Sequence, residues 1–311
     1  MFQHGSLQDL QKNKVVALFG EVLVDVFPDR KVLGGAPFNV ARHLQAFGAT
    51  PLLITRTGND ETRDALLAEM ARLGMDERGI QNDMNHPSGT VNVTLEDSGH
   101  RFEILPDQAY DHIHAGVVHM IALAVRPKMI YFGTLAQRSH ASRRALSALL
   151  SSCDSPRFLD INLRAPWYDL QTIKRSLRRA DILKLNEEEL SKIAAMLRLP
   201  GELAQQVVSL SRQYDIEEIL VTCGDKGAWH IDAKGRAIHA SAEETELADS
   251  VGAGDGFSAV MMLGMLREWP AELSLSRANA FAAAVCGIRG AAPPDPSFYE
   301  PFLSEWQCTS S

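Results

Sequence analysis

Cysteine is scarce in this chain of 311 residues: Cys153, Cys223, Cys286 and Cys308 stand apart, with no C-x-x-C pair among them. That spacing argues against a disulfide framework or a structural zinc site and suits a reducing compartment. Long apolar runs are missing too. The longest, near 115–125 and 257–266, are broken by polar or small residues and fall short of the roughly 20 residues of a spanning helix. Met1 to Lys14 is polar and has no apolar core of the signal-peptide kind. Residues 1–14 therefore read as an N-terminal extension, and the expected setting is cytoplasmic, away from membranes. Positive charge is in deficit. Lys plus Arg is 31 against 39 for Asp plus Glu, a net charge of −8, which argues against nucleic-acid binding through a broad basic surface. Familiar phosphate loops are absent as well. There is no Walker A motif and no Gly-rich loop of the protein-kinase type. Gly20-Glu21-Val22 does not supply the Gly-x-Gly-x-x-Gly that a nicotinamide-dependent dehydrogenase would place after its first strand.

What remains is an ordinary globular composition, 45% hydrophobic and 23% charged. No repeats or low-complexity linkers interrupt it. Val15 to Phe19 is a short apolar run with β-branched residues and reads as a buried strand. Val22 to Phe27 continues extended. Val40, Ala41, Leu44 and Phe47 recur at helical spacing until Gly48. A strand at Leu52 to Ile54 follows, then a helix capped within Thr57-Gly58-Asn59-Asp60. Thr90 to Leu95 and Arg101 to Ile104 alternate around a turn at Asp97-Ser98-Gly99, a hairpin signature. Strand–helix units then return: strands at Met129–Phe132, Arg157–Ile161, Ile182–Leu185 and Glu218–Thr222, helices at 139–150, near 170–178 and at 187–197, and a further short strand at Ala228–Asp232. This order predicts an α/β fold with a largely parallel central sheet and helices on both faces. The hairpin is expected to stand outside that sheet as a small flap. Ligands in such sheets gather beyond the carboxyl ends of the strands.

The sharpest motif lies late in the chain. In Asp249-Ser250-Val251-Gly252-Ala253-Gly254-Asp255-Gly256-Phe257 a Gly-rich turn runs straight into an apolar helix. Converging N–H groups and the positive end of the helix make an anion hole, with Asp255 inside it. A carboxylate there is often only a helix cap. Gly-Ala-Gly, however, gives more amide convergence than a cap needs.

This segment resembles the C-terminal signature of the ribokinase-like (PfkB) carbohydrate kinases, and Gly34-Gly35-Ala36-Pro37-Phe38-Asn39-Val40-Ala41 resembles their N-terminal one. The similarity runs from Val15 to Phe302. It implies one ribokinase-like domain over 15–311, with a β-sheet lid formed mainly by about 22–34 and 88–106. It also implies transfer of the ATP γ-phosphate to a sugar hydroxyl. Asp255 would accept the proton of the attacking hydroxyl. The Gly252, Ala253 and Gly254 amides would steady the migrating phosphoryl group. Asp25, Gly35 and Asn39 match sugar-facing positions of the family. Asp160-Ile161-Asn162-Leu163-Arg164 resembles the Asp-x-Asn-x-Arg segment of fructokinase-like and ketodeoxygluconate-kinase-like members, with Arg164 as a phosphate clamp.

Asn186-Glu187-Glu188-Glu189 matches the family's Asn-x-x-Glu, which implies Asn186 near the nucleotide and Glu189 near Mg²⁺, through water. As bare sequence, acidic residues in a first helical turn are common without a ligand. Thr222, Gly224 and Gly227 fall on the family's Thr-x-Gly-x-x-Gly along the nucleotide. Asn279 and the segment 287–293 would close over the adenine, although apolar packing explains that segment equally well. Lys184, just before Asn186, is within range of ATP. The first aspartate of the C-terminal motif helps bind K⁺ in many members, and Asp249 is present here, followed by Ser250 where most have Thr.

Phe102 and Ile104 on the hairpin are candidates to exclude water from the sugar. Gln137 and Arg138, in Phe132-Gly133-Thr134-Leu135-Ala136-Gln137-Arg138, are candidates to reach sugar or phosphate. The Gly-Gly-Ala-Pro form and these segments resemble bacterial fructokinases, so fructose is the expected sugar. 2-Keto-3-deoxygluconate, ribose and nucleosides are the alternatives. A homodimer through the flap sheets is a further implication of the family. Asp111-His112-Ile113-His114 and His119 invite a metal reading. No accompanying carboxylate or cysteine set is visible, so they read as surface histidines. A catalytically idle relative would be expected to lose Asp255 or its glycines, and this chain keeps them.

Overall fold

Successive residues of β1 (Val15–Phe19) face opposite ways. Val16 and Leu18 join one hydrophobic cluster, Ala17 and Phe19 another. A strand apolar on both faces must be covered on both faces, and a parallel sheet between two helical layers does this.

The computed structural model describes residues 15–96, 99–243, 245, 248–293 and 295–307. The N-terminal extension 1–14 and turn residues 97–98 lie outside them. The strands after β1 are β2 (Leu23–Val26), β3 (Lys31–Gly34), β4 (Thr50–Gly58), β5 (Ile80–Asp83), β6 (Gly89–Glu96), β7 (Gly99–Ile104), β8 (Met129–Phe132), β9 (Arg157–Asp160), β10 (Ile182–Asn186), β11 (Glu218–Thr222), β12 (Ala228–Asp232) and β13 (Ala237–Ala240). Among the described residues nine strands form one sheet in the order β13-β12-β11-β10-β9-β8-β1-β4-β5. It is parallel from β5 to β11, with β12 and β13 added antiparallel at one edge. The chain leaves β1 toward β4 and β5, then returns to build β8 to β11 on the other side. The order therefore reverses at β1, and a crevice opens beyond its carboxyl end.

The helices are α1 (Ala36–Ala46), α2 (Glu61–Arg72), α3 (Ala115–Val125), α4 (His140–Ser152), α5 (Leu170–Leu177), α6 (Glu187–Leu197), α7 (Leu203–Tyr214), α8 (Ala253–Leu266), α9 (Ala271–Cys286) and α10 (Glu300–Glu305). Residues of α1, α8 and α9 pack on the face that carries Val16 and Leu18. Those of α3 to α7 cover the other. Helix α8 is apolar all round and buried from Gly256 to Gly264, as befits a helix enclosed by the sheet, α1 and α9. No helix among the described residues is long and apolar enough to cross a membrane.

The second sheet has the order β3-β2-β6-β7. Its apolar side holds Leu23, Val91 and Val93, packed against Phe27 and Ile104. The expected hairpin is thus joined by β2 and β3. Trp167 Nε1 donates to the Ile104 carbonyl at 3.2 Å, and Arg138 Nη2 to that of Leu105 at 2.7 Å. These contacts fasten the small sheet to the main body where β7 ends.

Candidate active site

Two glycine turns, one from each end of the chain, meet over the crevice beyond β1. Gly252 has φ 84°, and a Cβ there would lie 2.4 Å from Ala291 Cα. Only glycine fits, and α8 begins at the next residue. Gly35 has φ 107°, and a Cβ there would lie 2.7 Å from the Glu21 carbonyl oxygen. It stands directly before α1. The helices point Asp255 and Asn39 at each other, and Asn39 Nδ2 donates to Asp255 Oδ2 at 2.8 Å.

That contact decides how to read Asp255. The hydrogen bond its carboxylate receives comes from Asn39, not from the main chain of its own turn. Burial pushes its pKa up to about 6, opposed by the Asn39 amide; Asp160 raises it further, while Lys184 and Arg164 draw it down. A carboxylate poised there is ionised at neutral pH yet still basic enough to take a proton.

Beneath the glycine turn lies a buried ion pair. Lys184 Nζ sits 3.1 and 3.2 Å from the two Asp160 oxygens, on paired positions of β10 and β9. Ser258 Oγ donates to Asp160 Oδ2 at 3.0 Å, which ties the pair to α8. Burial opposes the ammonium charge, but Asp160, Glu189 and Asp255 hold the Lys184 pKa above its ordinary value. A Cβ on Gly254 would lie 3.0 Å from Lys184 Nζ, so the ammonium abuts the turn. The sequence reading brought Lys184 only within range of ATP; the fold sets it at the centre of the anion hole.

On one side of this centre a cleft of about 860 Å³ runs along the ends of β10 and β11. Lys184, Asn186, Thr222, Gly224, Gly227, Gly254 and Asn279 all line it. Asn186 caps α6. Its Oδ1 accepts from Glu189 N at 2.8 Å, and Glu189 Oε2 accepts from Asn186 N at 2.9 Å. The other Glu189 oxygen accepts from Leu163 N at 2.9 Å. Both oxygens thus hold main chain. Asp249 is similarly engaged: Oδ1 accepts from Val251 N and Oδ2 from Gly290 N, at 3.0 and 3.1 Å. It bridges the glycine turn to the segment before α10. Asn279 Nδ2 donates to the Ala240 carbonyl at 2.7 Å, anchoring α9 to β13.

On the other side lie Glu21, Asp25 and Arg164. Asp25 is on β2, and burial raises its pKa to about 6 against the pull of Arg164. Glu21 is buried, with Oε2 unpartnered. Burial lifts its pKa to about 7; Arg164 and Arg138 lower it, and Asp255 raises it. The exposed Arg164 guanidinium thus acts electrostatically on all three carboxyls, Glu21, Asp25 and Asp255. Sequence reasoning passed over Glu21 because, directly after Gly20, it looks like the exit of a strand. The signal available was a carboxylate at the carboxyl end of the central strand.

Other expected residues sit elsewhere. Gln137 is fully buried, and its Nε2 donates to the Gly133 carbonyl and to Ser176 Oγ at 2.8 and 2.9 Å. It packs the 134–138 turn on α5, while its buried Oε1 is without a partner. Arg138 Nε and Nη2 hold Asp111 at 2.8 and 2.7 Å, and the guanidinium lies over Trp167 and Tyr110. Its buried Nη1 keeps no partner. Phe102 is 50% exposed, since it lies along β7 beyond the small sheet's apolar cluster, whereas Ile104 packs into that cluster.

A buried carboxylate, an amide-lined turn and a buried ammonium, beside a group of carboxyls around Arg164, together can deprotonate an alcohol while holding a phosphoryl group. Known proteins are similar to this chain in sequence and fold. The fructokinase of Escherichia coli is 28% identical over 273 residues, which cover 80% of this chain and 84% of that protein. The crystal structure of an uncharacterized sugar kinase from Pyrococcus horikoshii in complex with ATP superposes with a TM-score of 0.72 at 25% identity, covering 89% of this chain and 93% of that one. A fructokinase from Vibrio cholerae, with fructose, ADP and calcium bound, gives 0.76 at 22% identity, covering 92% and 98%. Residues 5–297 match the family described as pfkB family carbohydrate kinase, and the chain belongs to that family.

Proposed function

We propose that this protein transfers the γ-phosphoryl group of ATP to a primary hydroxyl of a sugar, with fructose the first candidate. The observation that carries this reading is the place of Asp255, directly after Gly254 of the nucleotide-sized cleft and held by Asn39. The triphosphate would lie along Asn186, Thr222 and Gly224 with its terminal phosphate at the glycine turn. The Gly252 to Gly254 amides and Lys184 would hold charge as it develops on the transferring group. Asp255 takes the proton of the attacking hydroxyl. Asp25, Glu21 and Asn39 accept and donate hydrogen bonds around the sugar, where a carboxylate can take two hydroxyls at once. Arg164 is suited to clamp phosphate through its planar fork.

Magnesium supplies neutralisation of the β- and γ-phosphate oxygens when bound. The residues present fit an ion carried in by the nucleotide, with Glu189, whose oxygens each already accept one main-chain bond, meeting it through water. A monovalent cation such as K⁺ at Asp249 would have to share an oxygen that already accepts from Val251 N or Gly290 N. Fructose as substrate is supported by the similarity to fructokinases. A second reading, a sugar acid such as 2-keto-3-deoxygluconate, is favoured by one observation: the Arg164 charge acts on Glu21 and Asp25, the carboxyls that would receive the sugar.

The test is ADP release across a panel of fructose, ribose, 2-keto-3-deoxygluconate and nucleosides. Release with none of them sinks the reading. Full activity in Asp255→Asn sinks its mechanism.

A further inference from the structure

His112, which the sequence leaves as a surface histidine, is not alone. The fold brings His86 and Asp107 to it from either side of the β6–β7 hairpin. His112 Nε2 lies 2.9 Å from Asp107 Oδ1, and His86 Nε2 lies 3.8 Å from the same oxygen. The two imidazoles stack with centroids 3.7 Å apart and planes 15° apart, so one ring must turn out of the stack for both Nε2 lone pairs to meet at one ion. One donor atom from each residue falls within 4.8 Å of the other two. Zinc–ligand bonds of about 2.0–2.1 Å at tetrahedral angles put ligand atoms about 3.3 Å apart, and the two distances above bracket that value. The remaining histidines of the sequence cluster are otherwise employed. His114 caps α3 and His119 bonds Ser152 Oγ, while Asp111 holds Arg138.

The layer behind the donors is also built. His86 Nδ1 faces Asp83 Oδ1 at 3.2 Å, which turns Nε2 toward Asp107. Asp83 is 1% exposed and pairs with Arg56 Nε at 2.9 Å, and Arg56 Nη1 donates to the His112 carbonyl at 2.7 Å. A carboxylate behind a ligating imidazole fixes its tautomer and raises its basicity, the usual support of a metal-bound histidine.

We propose that His86, Asp107 and His112 form a binding site for a late first-row divalent cation, with zinc as the probe. Three donors of this kind leave a fourth position for water. The site spans the base of the small sheet: His86 precedes β6, Asp107 follows β7, and His112 ends the turn Ala109–His112 on the main body. A bound ion would therefore join both stems of the hairpin to the main body. It is independent of the kinase reading and survives that reading's failure.

Calorimetric titration of the untagged chain with zinc chloride, without nucleotide or magnesium, tests it. The expected result is one equivalent bound at micromolar or tighter affinity. His86→Gln and His112→Gln should each weaken it by more than the roughly 10–100-fold typical of losing a supporting residue behind a ligand, and His119→Gln should leave it unchanged. No binding, or wild-type affinity in both variants, overturns the proposal. Anomalous diffraction at the zinc edge from zinc-soaked wild-type crystals decides without any variant. A peak between His86, Asp107 and His112 supports the site, and peaks only elsewhere overturn it.

Discussion

Asn39 and Asp255 lie 216 positions apart in the chain, yet share a 2.8 Å hydrogen bond from amide to carboxylate. The contact ties α1 to the first turn of α8 and fixes the orientation of the Asp255 carboxylate. Replacing Asp255 by Asn keeps the volume and removes the basicity. Turnover should fall by about 10²–10⁴-fold or more while nucleotide affinity stays close to wild type. Steady-state kinetics with nucleotide titration measures both. A residue that only capped α8 would give a stability loss of about 1 kcal/mol and little change in rate.

Asn39→Ala removes the donor that stabilises the ionised form of Asp255. The Asp255 pKa, already up at about 6, should rise further. The acid limb of kcat/KM should then move to higher pH, with the plateau at alkaline pH less affected. An unmoved limb would show that Asn39 serves the sugar alone.

The same burial makes these carboxyls a stability cost at neutral pH. Glu21, Asp25 and Asp255 have folded-state values of about 7, 6 and 6, above the ordinary 4.5, 3.8 and 3.8. A raised carboxyl holds its proton more tightly when folded. Its contribution is therefore fully present below the unfolded pKa and is lost as pH climbs through the folded one. Melting temperature of the ligand-free protein should decline between about pH 4 and pH 7 on this account. Asp255→Asn should melt higher than wild type at pH 8, with the difference shrinking toward pH 4.

How much of this was visible in the sequence follows from how local each signal is. The helix start at Gly252 and Asp255, the strand at Val15–Phe19 and the hairpin each rest on contiguous residues, so period and turn chemistry were enough to find them. The occupant of a strand end is set by neighbours far along the chain. Gln137 looked available to substrate because Ser176, its partner 39 residues on, belongs to another helix. The His86–Asp107–His112 group is split by the hairpin it supports, so no window of sequence contains it together with its context. Lys184 reads only as a strand-end residue within range of ATP until register sets it opposite Asp160.

Gly252→Ala tests whether the turn is required as built. The new methyl would meet Ala291 Cα at 2.4 Å at a φ that L-residues rarely adopt. The turn must shift, and the amides shift with it. Sugar-dependent ADP release should fall by about 10²-fold or more, the scale of losing one anion-hole donor, with circular dichroism largely unchanged.

The Lys184–Asp160 pair separates electrostatic from structural roles most sharply. Their side chains are 9% and 1% exposed, so removing one partner strands a buried charge. Lys184→Met should cost about 3–5 kcal/mol in urea unfolding, because the Asp160 carboxylate is left uncompensated. Adding Asp160→Asn removes that charge and should recover much of the stability, since Ser258 Oγ can still donate to the new amide oxygen. Activity should not return with it. The double variant lacks the ammonium against Gly254, and an anion hole of amides alone must carry the phosphoryl charge. Restored folding with restored turnover would reduce Lys184 to a packing residue, whereas restored folding without turnover assigns it to the phosphate.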